Sequence, residues 1–358
     1  NRALIILLPK KDGANTANAF RPISLQNCPI KVVAKVLTTC LKPFIPLLVH
    51  GNQTGFIPGR NIAENYIFAA DLISSCHTRK KPTMVFKLDF RKAFDSVAWP
   101  ALYKILLARG FSPTFRSWIQ NILATGKTTI LLNGIPGNWI DCKNGLRQGD
   151  PISPYLFLIV ADLLQQLILK TPHASLHHPI FSHLPPTVLQ YADDTLIVAA
   201  ALADAAVALK GILDRFANAT GLAINFSKMT IATLHLDDAA ANDAALAMGC
   251  SRASFPQTYL GLPLSPTKPP SNAFDPILER SRKLLSGWRA KLLDKGDHLI
   301  LISAVLDSLL TYFMSVFRLP KELLKNIDSI RRAFFWAGED SVSGAQCLVA
   351  WKNVCIPK

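Results

Sequence analysis

Two adjacent aspartates, Asp193 and Asp194, stand between two short apolar segments of the sequence. Neighbouring carboxylates at a tight turn repel each other, and Asp-Gly or Asn-Gly would form a more favourable turn. A bound cation would remove that repulsion, whereas a surface turn would only screen it with solvent. Asp89 ends a third apolar segment and would add another carboxylate if the three segments share one sheet. Oxygen donors of this kind suit Mg²⁺ together with substrate phosphates. The pattern therefore indicates phosphoryl or nucleotidyl transfer, by a nuclease or by a polymerase.

The elements that must position these carboxylates are strands. Residues 84–90 alternate, with three large apolar side chains on one face and Lys87 and Asp89 on the other, which predicts a half-buried strand. Residues 188–192 and 195–199 predict a strand pair joined at Asp193-Asp194. The span 222–231 also reads as a strand.

Helix signals alternate with these strands. Pro100 suits the first turn of one helix that ends at Gly110, and Gly221 closes another that starts near residue 204. Ser153 is predicted to cap a third helix, and Asn133-Gly134 to turn a hairpin. Strands and helices mixed in this way predict an α+β fold up to a Pro-rich stretch near residue 265, followed by a basic, all-helical region.

The composition points to a polyanionic partner. The chain has 358 residues, of which half are hydrophobic, with 39 Lys and Arg against 24 Asp and Glu, a net charge of +15. A folded protein this basic usually faces nucleic acid, although a basic surface without a dedicated partner is an alternative. The seven cysteines show no CxxC spacing, so we expect reduced thiols rather than a disulfide framework or a zinc module.

One long apolar segment, residues 299–317, requires a membrane test. Its polar residues recur every four positions and include Asp307. This spacing makes an amphipathic helix, and an aspartate would be costly in lipid. We therefore expect a core helix with one solvent-exposed edge and no membrane association. Residues 171–186 hold four histidines and are expected to form a loop rather than a metal site.

Several blocks in a fixed order carry a resemblance to a known family. The blocks are FRPISL (20–25), QTGFIPGR (53–60), FKLDFRKAFDSV (86–97), GLRQGDPISP (145–154), YADD (191–194), GLAINFSK (221–228) and YLGLPL (259–264), with AFFWAG (333–338) near the end. With these blocks the chain resembles the reverse transcriptases of LINE-type (non-LTR) retrotransposons, of the sort common in plant genomes. The resemblance implies a right-hand polymerase, with fingers and palm in residues 1–264 and a helical thumb-like region in residues 265–358.

The resemblance implies a two-metal site. Asp89 and Asp193 would bridge two Mg²⁺ ions, with Mn²⁺ as an alternative, and Asp194 and the backbone carbonyl of Phe90 would complete the site. Lys228 matches the position that protonates the pyrophosphate leaving group, although an exposed strand lysine is the alternative.

Substrate-binding positions are implied in the same way. Arg21 and one of Lys10 or Lys11 match residues that grip the triphosphate, with a solvated basic loop as the alternative for the lysines. Phe94 matches the aromatic gate that selects deoxynucleotides. The remaining positions are Gln148 and Gly149, which line the nucleotide and template site, and Arg60, a weaker candidate for template or phosphate contact.

Two further interpretations concern single carboxylates. A helix N-cap is favoured over metal ligation for Asp95, and a local ion pair is the alternative role for Arg147 and Asp150. At 294–298 the chain reads Asp-Lys-Gly-Asp-His where the family usually has a Gly-Gly-Arg turn, which puts the thumb geometry in question.

The implied function is RNA-directed DNA synthesis with an RNA template, a DNA primer and deoxynucleoside triphosphates as partners. We expect the endonuclease of the polyprotein to lie outside this chain. The family implies a nuclear location, with a cytoplasmic ribonucleoprotein stage as an alternative. A catalytically silent fragment that only binds nucleic acid is the competing hypothesis.

Overall fold

The computed structural model describes residues 1–10, 12–171, 175–286, 293–339 and 341–356. The chain divides into two compact units. The first comprises Asn1–Asn65 and Ser75–Ser254, and the second comprises Tyr66–Ser74 and Phe255–Lys358.

The described helices and strands alternate along the first unit, whereas helices dominate the second. The helices are α1 (Cys28–Leu41), α2 (Ile45–Leu48), α3 (Ile62–Thr78), α4 (Ala93–Ser96), α5 (Trp99–Ala108), α6 (Pro113–Ala124), α7 (Ser153–Lys170), α8 (Ala205–Thr220), α9 (Asp238–Met248), α10 (Asp275–Ser286), α11 (Lys295–Leu301), α12 (Asp307–Met314), α13 (Lys321–Ala337) and α14 (Trp351–Val354). The strands are β1 (Arg2–Pro9), β2 (Phe20–Gln26), β3 (Thr83–Leu88), β4 (Lys127–Leu132), β5 (Ile135–Pro136), β6 (Ile140–Asp141), β7 (Thr187–Tyr191), β8 (Asp194–Ala200), β9 (Thr230–Leu234), β10 (Ser251–Arg252), β11 (Gln257–Tyr259) and β12 (Leu262–Leu264).

Two sheets organise the first unit. In one sheet, β1 lies between antiparallel β2 and parallel β4, and β4 also pairs with β5 and β6. The other sheet has the order β10-β9-β3-β8-β7, in which only β9 and β10 are parallel. Its central strand β3 pairs with both β8 and β9, so this strand is held from both sides.

The core of the first unit lies against one face of the second sheet. Met84, Phe86 and Leu88 of β3 form one buried cluster with side chains of α5, α7 and α8. All six residues from Leu156 to Ala161 of α7 are fully buried, so α7 is a core helix. The strand predicted at residues 84–90 is confirmed, but the prediction of an open second face is wrong. Val85, on the Lys87 face, is also fully buried, as in a central strand covered on both faces.

Turn residues set several element ends as the sequence predicts. Pro100 occupies the first turn of α5, and Gly110 (φ 79°) and Gly221 (φ 81°) follow the ends of α5 and α8. Asn133 and Gly134, both with positive φ, turn the β4–β5 hairpin.

Two predicted elements differ from the structure. The predicted strand 222–231 is interrupted, because backbone amides of Lys228 and Met229 bond back to the Asn225 carbonyl and close a turn before β9 begins. Ser153 is the first residue of α7 and not its cap, because the cap position is Ile152.

The second unit joins the β11–β12 hairpin to helices. The Tyr66 hydroxyl donates to the Pro263 carbonyl (2.6 Å) and the Tyr312 hydroxyl donates to the Leu260 carbonyl (2.6 Å). The unit begins after Ser254 and not after residue 264, because these contacts tie the hairpin and the middle of α3 to the helices. As functional domains, 1–264 and 265–358 remain predictions.

The divergent segment 294–298 forms a capping box. The Asp294 side chain accepts from the backbone amide of Asp297 (2.8 Å), and the Asp297 side chain accepts from the Asp294 amide. These two aspartates therefore start α11 in place of the turn usual in the family.

Among the residues that the structure describes, two helical stretches, 153–170 and 295–314, are long and apolar enough to cross a membrane. In the first, 67% of the residues are buried inside the protein, compared with 28% in the second. The expectation of a core helix over 299–317 is therefore met only in part, by a small cluster that includes Ile302 and Leu306.

Candidate active site

Asp89 follows directly on β3, at the edge where this strand leaves the sheet. The last register pair of β3 and β8 is Leu88 with Thr195, so Asp89 and Asp194 are the residues next to this pair, and the charge of Asp89 acts on Asp194. Directly opposed residues in antiparallel strands have Cβ atoms about 4.5–5.5 Å apart. Strand register thus brings together two carboxylates that are far apart in the sequence.

The β7–β8 hairpin presents the second and third carboxylates. Tyr191 pairs with Asp194, which leaves Ala192 and Asp193 as a two-residue turn. Ala192 has φ 54°, a left-handed conformation that is uncommon for a residue other than glycine. The turn places Asp193 at its tip and Asp194 at the start of the next strand.

The three carboxylates act on one another electrostatically. Desolvation raises the pKa of Asp193, and the charge of Asp89 raises it further, while Arg21 opposes the shift. Desolvation also raises the pKa of Asp194, with contributions in the same direction from Asp193 and Asp89 and an opposing one from Lys87. Both aspartates keep much of their side-chain surface in solvent, so screening moderates these shifts. The site concentrates negative charge that a cation would neutralise.

The donor set suits a hard divalent cation completed by substrate. Within the described residues, no group of three or more His, Cys, Asp and Glu side chains is arranged to hold a metal ion by itself. Mg²⁺ commonly binds through one or two carboxylates plus substrate phosphates, so an incomplete protein cage fits this use. The Phe90 carbonyl also suits the role, because the Phe90–Ile224 bridge uses the flanking groups instead: Arg91 N to Ala223 O (2.8 Å) and Asn225 N to Asp89 O (2.7 Å).

Phe94 lies on the short helix α4, two residues after Lys92, whose φ of 49° turns the chain away from the strand. Its half-buried ring stacks on Phe157 of α7, with centroids 4.9 Å apart and planes 16° from parallel. Its carbonyl accepts from the Leu146 amide (2.7 Å). The ring is therefore fixed by the core helix beneath it and by the 145–150 loop beside it.

The 145–150 loop is anchored to β2. The Gln148 carbonyl accepts from the Ser24 amide (2.8 Å), and Gly149 has φ 100°. A Cβ on Gly149 would lie 3.2 Å from the Ser24 carbonyl, so this glycine permits close approach to the chain's own backbone.

The predicted Arg147–Asp150 ion pair is wrong. Arg147 instead donates to the Asn1 side chain (2.6 Å), and Asp150 accepts from the Ile152 amide (3.3 Å). Burial raises the pKa of Asp150 although the Arg147 charge partly opposes it.

Basic residues in and beside the first sheet act on nearby carboxylates. Arg21, on β2 opposite Leu8, is exposed, and its charge opposes the raised pKa of Asp193. The Lys10 ammonium donates to the Asn18 carbonyl (2.9 Å), and its charge acts on Asp95. Lys11 lies outside the described residues.

An open cleft of about 720 Å³ borders the turn on the side of Tyr191. Lys42 and Arg60 supply positive charge to its lining, and Phe56 and Tyr155 supply aromatic surface. A cleft of this chemistry can accommodate a nucleic acid strand by stacking and phosphate contact.

Comparison with known proteins decides the family. The family model of reverse transcriptase (RNA-dependent DNA polymerase) matches residues 8–264, more than half of the chain. The chain belongs to the reverse transcriptase family. This family generally uses divalent metal ions.

Relatives of the chain include a transposon protein and retrovirus-related Pol polyproteins of retrotransposable elements. The "Transposon TX1 uncharacterized 149 kDa protein" of Xenopus laevis is 27% identical over 99% of this chain, which spans 27% of that protein. A retrovirus-related Pol polyprotein of a type-2 retrotransposable element of Drosophila melanogaster is 28% identical over 63% of this chain and 21% of its own length. The chain thus spans about a quarter of these relatives.

The fold is that of a right-hand polymerase. A solved telomerase from Candida tropicalis, in complex with a TWJ fragment of telomeric RNA, superposes with a TM-score of 0.51. The match covers 96% of this chain and 60% of the telomerase, at 12% identity. The predicted α+β polymerase fold is thereby confirmed.

Arg60, within a reverse transcriptase block, bonds to the chain itself. Its guanidinium donates to the carbonyls of His50 (2.8 Å), Gln53 (2.6 Å) and Pro46 (3.1 Å). These three hydrogen bonds brace the 46–53 loop. The structure gives Arg60 a structural use, whereas a template or phosphate contact stays only a prediction.

Lys228 and Asp95 lie in local structure that differs from the sequence-based expectation. Lys228 is exposed on the turn before β9 rather than on a strand. Asp95 lies inside α4, whose cap position is Lys92, so the predicted N-cap role of Asp95 is wrong. Burial raises the pKa of this carboxyl, while Lys92 and Lys10 act in the opposite direction.

Sequence reasoning missed two buried polar residues that support the reverse transcriptase site. Asp162 is fully buried in α7; it accepts from the His50 amide (2.7 Å) and pairs with Arg109 (2.5 Å). An aspartate amid an apolar helix is a signal for such a pair. Gln53 was part of a matched block, but no local pattern shows where its side chain bonds.

Proposed function

We propose that this chain is an RNA-directed DNA polymerase, which adds deoxynucleotides to the 3′-hydroxyl of a DNA primer on an RNA template. The observation that carries the proposal is the single edge where strand register puts Asp89 beside Asp194 and the hairpin turn adds Asp193. This edge lies inside the segment that matches the reverse transcriptase family.

Two Mg²⁺ ions, or Mn²⁺ as an alternative, would be held by Asp89, Asp193, Asp194 and the Phe90 carbonyl. When bound, such ions stabilise the attacking and leaving oxygens of an in-line displacement at phosphorus. The protein supplies fixed carboxylates, so the primer end and the triphosphate are oriented without reorganisation of the strands.

The surrounding residues would bind the substrates. Arg21 is exposed, and its charge already acts on Asp193, so we assign it to the triphosphate, with Lys10 in support. The Phe94 ring, fixed on Phe157, would lie beneath the deoxyribose and exclude a 2′-hydroxyl. Gln148 and Gly149 would border the nucleotide, and Lys228 would protonate the leaving pyrophosphate.

The template RNA would use the cleft beside Tyr191, and the basic helices of the second unit would contact the duplex through phosphates. The primer end is proposed to come from endonuclease activity elsewhere in the longer polyprotein. Action in the nucleus, with a cytoplasmic ribonucleoprotein stage as an alternative, stays a prediction.

Primer extension by the purified chain tests the proposal. We expect incorporation of deoxynucleotides on an RNA template only when Mg²⁺ or Mn²⁺ is present, and a loss of at least about 10³-fold in Asp193→Asn. Asp214→Asn, which changes an exposed carboxylate on α8, is the matched control and should retain full activity.

Extension that survives Asp193→Asn would contradict the proposal. Binding of primer–template with a steep salt dependence, but without any incorporation by the unmodified chain, would favour a silent nucleic-acid-binding protein instead.

A further inference from the structure

Gln53 lies in the loop before α3 with only 1% of its surface exposed. Its side-chain amide bonds across the chain to a residue 139 positions away. The Oε1 atom accepts from the Ala192 amide (2.9 Å) and from the Gly55 amide (2.9 Å). The Nε2 atom donates to the Ala192 carbonyl (3.3 Å). One side chain thus satisfies both backbone polar groups of Ala192.

Ala192 is the residue at which this amide acts on the site. It is the first of the two turn residues between β7 and β8, has φ 54°, and precedes Asp193 directly. A left-handed alanine persists only where its surroundings hold it. The Gln53 amide therefore restrains a segment that is strained and charged.

The loop that carries Gln53 is itself fixed to β7. Gln53 forms a parallel bridge with Gln190, where the Thr54 amide donates to the Gln190 carbonyl (2.9 Å) and the Gln190 amide donates to the Asn52 carbonyl (3.0 Å). Arg60 bonds to the Gln53 carbonyl (2.6 Å). The anchor is thus held to β7 and to Arg60 by hydrogen bonds that do not involve the turn.

Gly55 gives a second, independent sign of the same contact. A Cβ built on Gly55 would lie 2.4 Å from the Ala192 amide nitrogen, a distance that would force the turn to move. The loop and the turn are therefore in backbone-to-backbone contact, and only glycine permits it.

We propose that Gln53 is a positioning residue for nucleotidyl transfer: its amide clamps the Ala192 peptide and so fixes Asp193 and Asp194 against Asp89. The role rests on the proposed polymerase function. Gln53 acts through the turn and touches no reacting atom. Without the clamp, the carboxylates still bind substrate but lie out of line, and misplacement by about 1 Å costs about 10²-fold in rate.

Two variants disturb the contact between the Gln53 loop and the Ala192 turn in different ways. Gln53→Met keeps the length and removes all three hydrogen bonds, whereas Gly55→Ala keeps the glutamine and pushes the turn. For both we expect kcat to fall about 10²-fold, with the KM for deoxynucleotide and the affinity for primer–template within about twofold of the unmodified chain. Gly51→Ala is the matched control, because Gly51 lies in the same loop, its φ is not positive, and a Cβ there would meet no atom within 4 Å.

Hydrogen–deuterium exchange supplies a readout that does not need activity. Peptides covering residues 187–196 should exchange faster in Gln53→Met and Gly55→Ala, while peptides covering β9 should be unchanged. Gly51→Ala should match the unmodified chain throughout.

These measurements distinguish the positioning role of Gln53 from the proposed polymerase function. Faster exchange at 187–196 with the kcat loss supports the positioning role. Unchanged exchange in Gln53→Met, or faster exchange with normal kcat, overturns it. If the unmodified chain does not polymerise, the polymerase proposal fails, and faster exchange still establishes the clamp as a property of the fold.

Discussion

Two reverse transcriptase blocks of the first unit, residues 20–25 and 53–60, each contain an arginine, and the two arginines differ in their exposure and hydrogen bonding. On β2, Arg21 is exposed and its charge reaches Asp193. In the 50–60 loop, Arg60 donates to three backbone carbonyls of its own chain. The difference teaches that the position of an arginine within a motif does not fix its contacts: the donors of Arg60 are used by carbonyls already in place, whereas Arg21 stays exposed.

The burial that accompanies these hydrogen bonds also changes the pKa of Arg60. Burial lowers the pKa of Arg60, although the Asp162 charge opposes the shift. A charge that is partly desolvated must be compensated by hydrogen bonds. Arg60 and Arg21 therefore predict different losses when each is removed.

The largest effect is expected on stability at Arg60. Arg60→Met leaves the carbonyls of His50 and Gln53 without their donor, which should cost about 2–4 kcal/mol and lower Tm by roughly 5–10 °C. Thermal melts of this variant beside Arg21→Met, which should change Tm by less than about 1 °C, measure the contrast. Equal Tm values for both variants would contradict the predicted difference in stability between Arg60→Met and Arg21→Met.

The next effect is expected on substrate binding at Arg21. Arg21→Met should raise the KM for deoxynucleotide about tenfold, equivalent to about 1.4 kcal/mol, because a phosphate contact is lost. Single-nucleotide incorporation kinetics measure it, with Arg21→Lys as the control that retains the charge and part of the affinity. A KM that does not change in Arg21→Met would contradict the triphosphate role.

The smallest effect concerns Asp193, on which the charge of Arg21 acts, and its neighbour Asp194. Their pKa values are raised above the ordinary 3.8, so the folded state holds more protons than the unfolded chain just above that pH. Stability therefore falls as pH rises through this window and is constant beyond it. In metal-free buffer, Asp193→Asn should match the unmodified chain near pH 4 and be more stable at pH 7, by less than about 1 kcal/mol because solvent screens exposed charges.

Thermal melts between pH 4 and 8 measure that difference. Mg²⁺ should raise the Tm of the unmodified chain at pH 7 and reduce the gap. A variant that is less stable than the unmodified chain at pH 7 would show that Asp193 stabilises the fold rather than straining it.

The ends of helices and strands could be predicted from the sequence where the backbone preference of a single residue type determines them. Pro100 in the first turn of α5, Gly221 after α8 and Asn133-Gly134 in the β4–β5 hairpin are cases in which backbone preference suffices. The strand predicted over 222–231 failed because a turn closed by the Asn225 carbonyl interrupts it, where the apolar positions shift from Leu222, Ile224 and Phe226 to Met229 and Ile231. Asp95 failed as a cap because Lys92, in a left-handed conformation, moves the start of α4 to Ala93.

The sequence alone selected the three carboxylates that are predicted to bind metal. Asp89 follows β3, Asp193 lies in the turn between β7 and β8, and Asp194 starts β8, and their charge and positions in ordered blocks indicate the chemistry. Only the tertiary structure decided that Asp89 stands beside Asp194, that Arg60 faces inward, and that Gln53 holds Ala192 from 139 residues away. The physical reason is that a hydrogen bond depends on which donors and acceptors come within about 3 Å, and chain segments remote in sequence determine that distance.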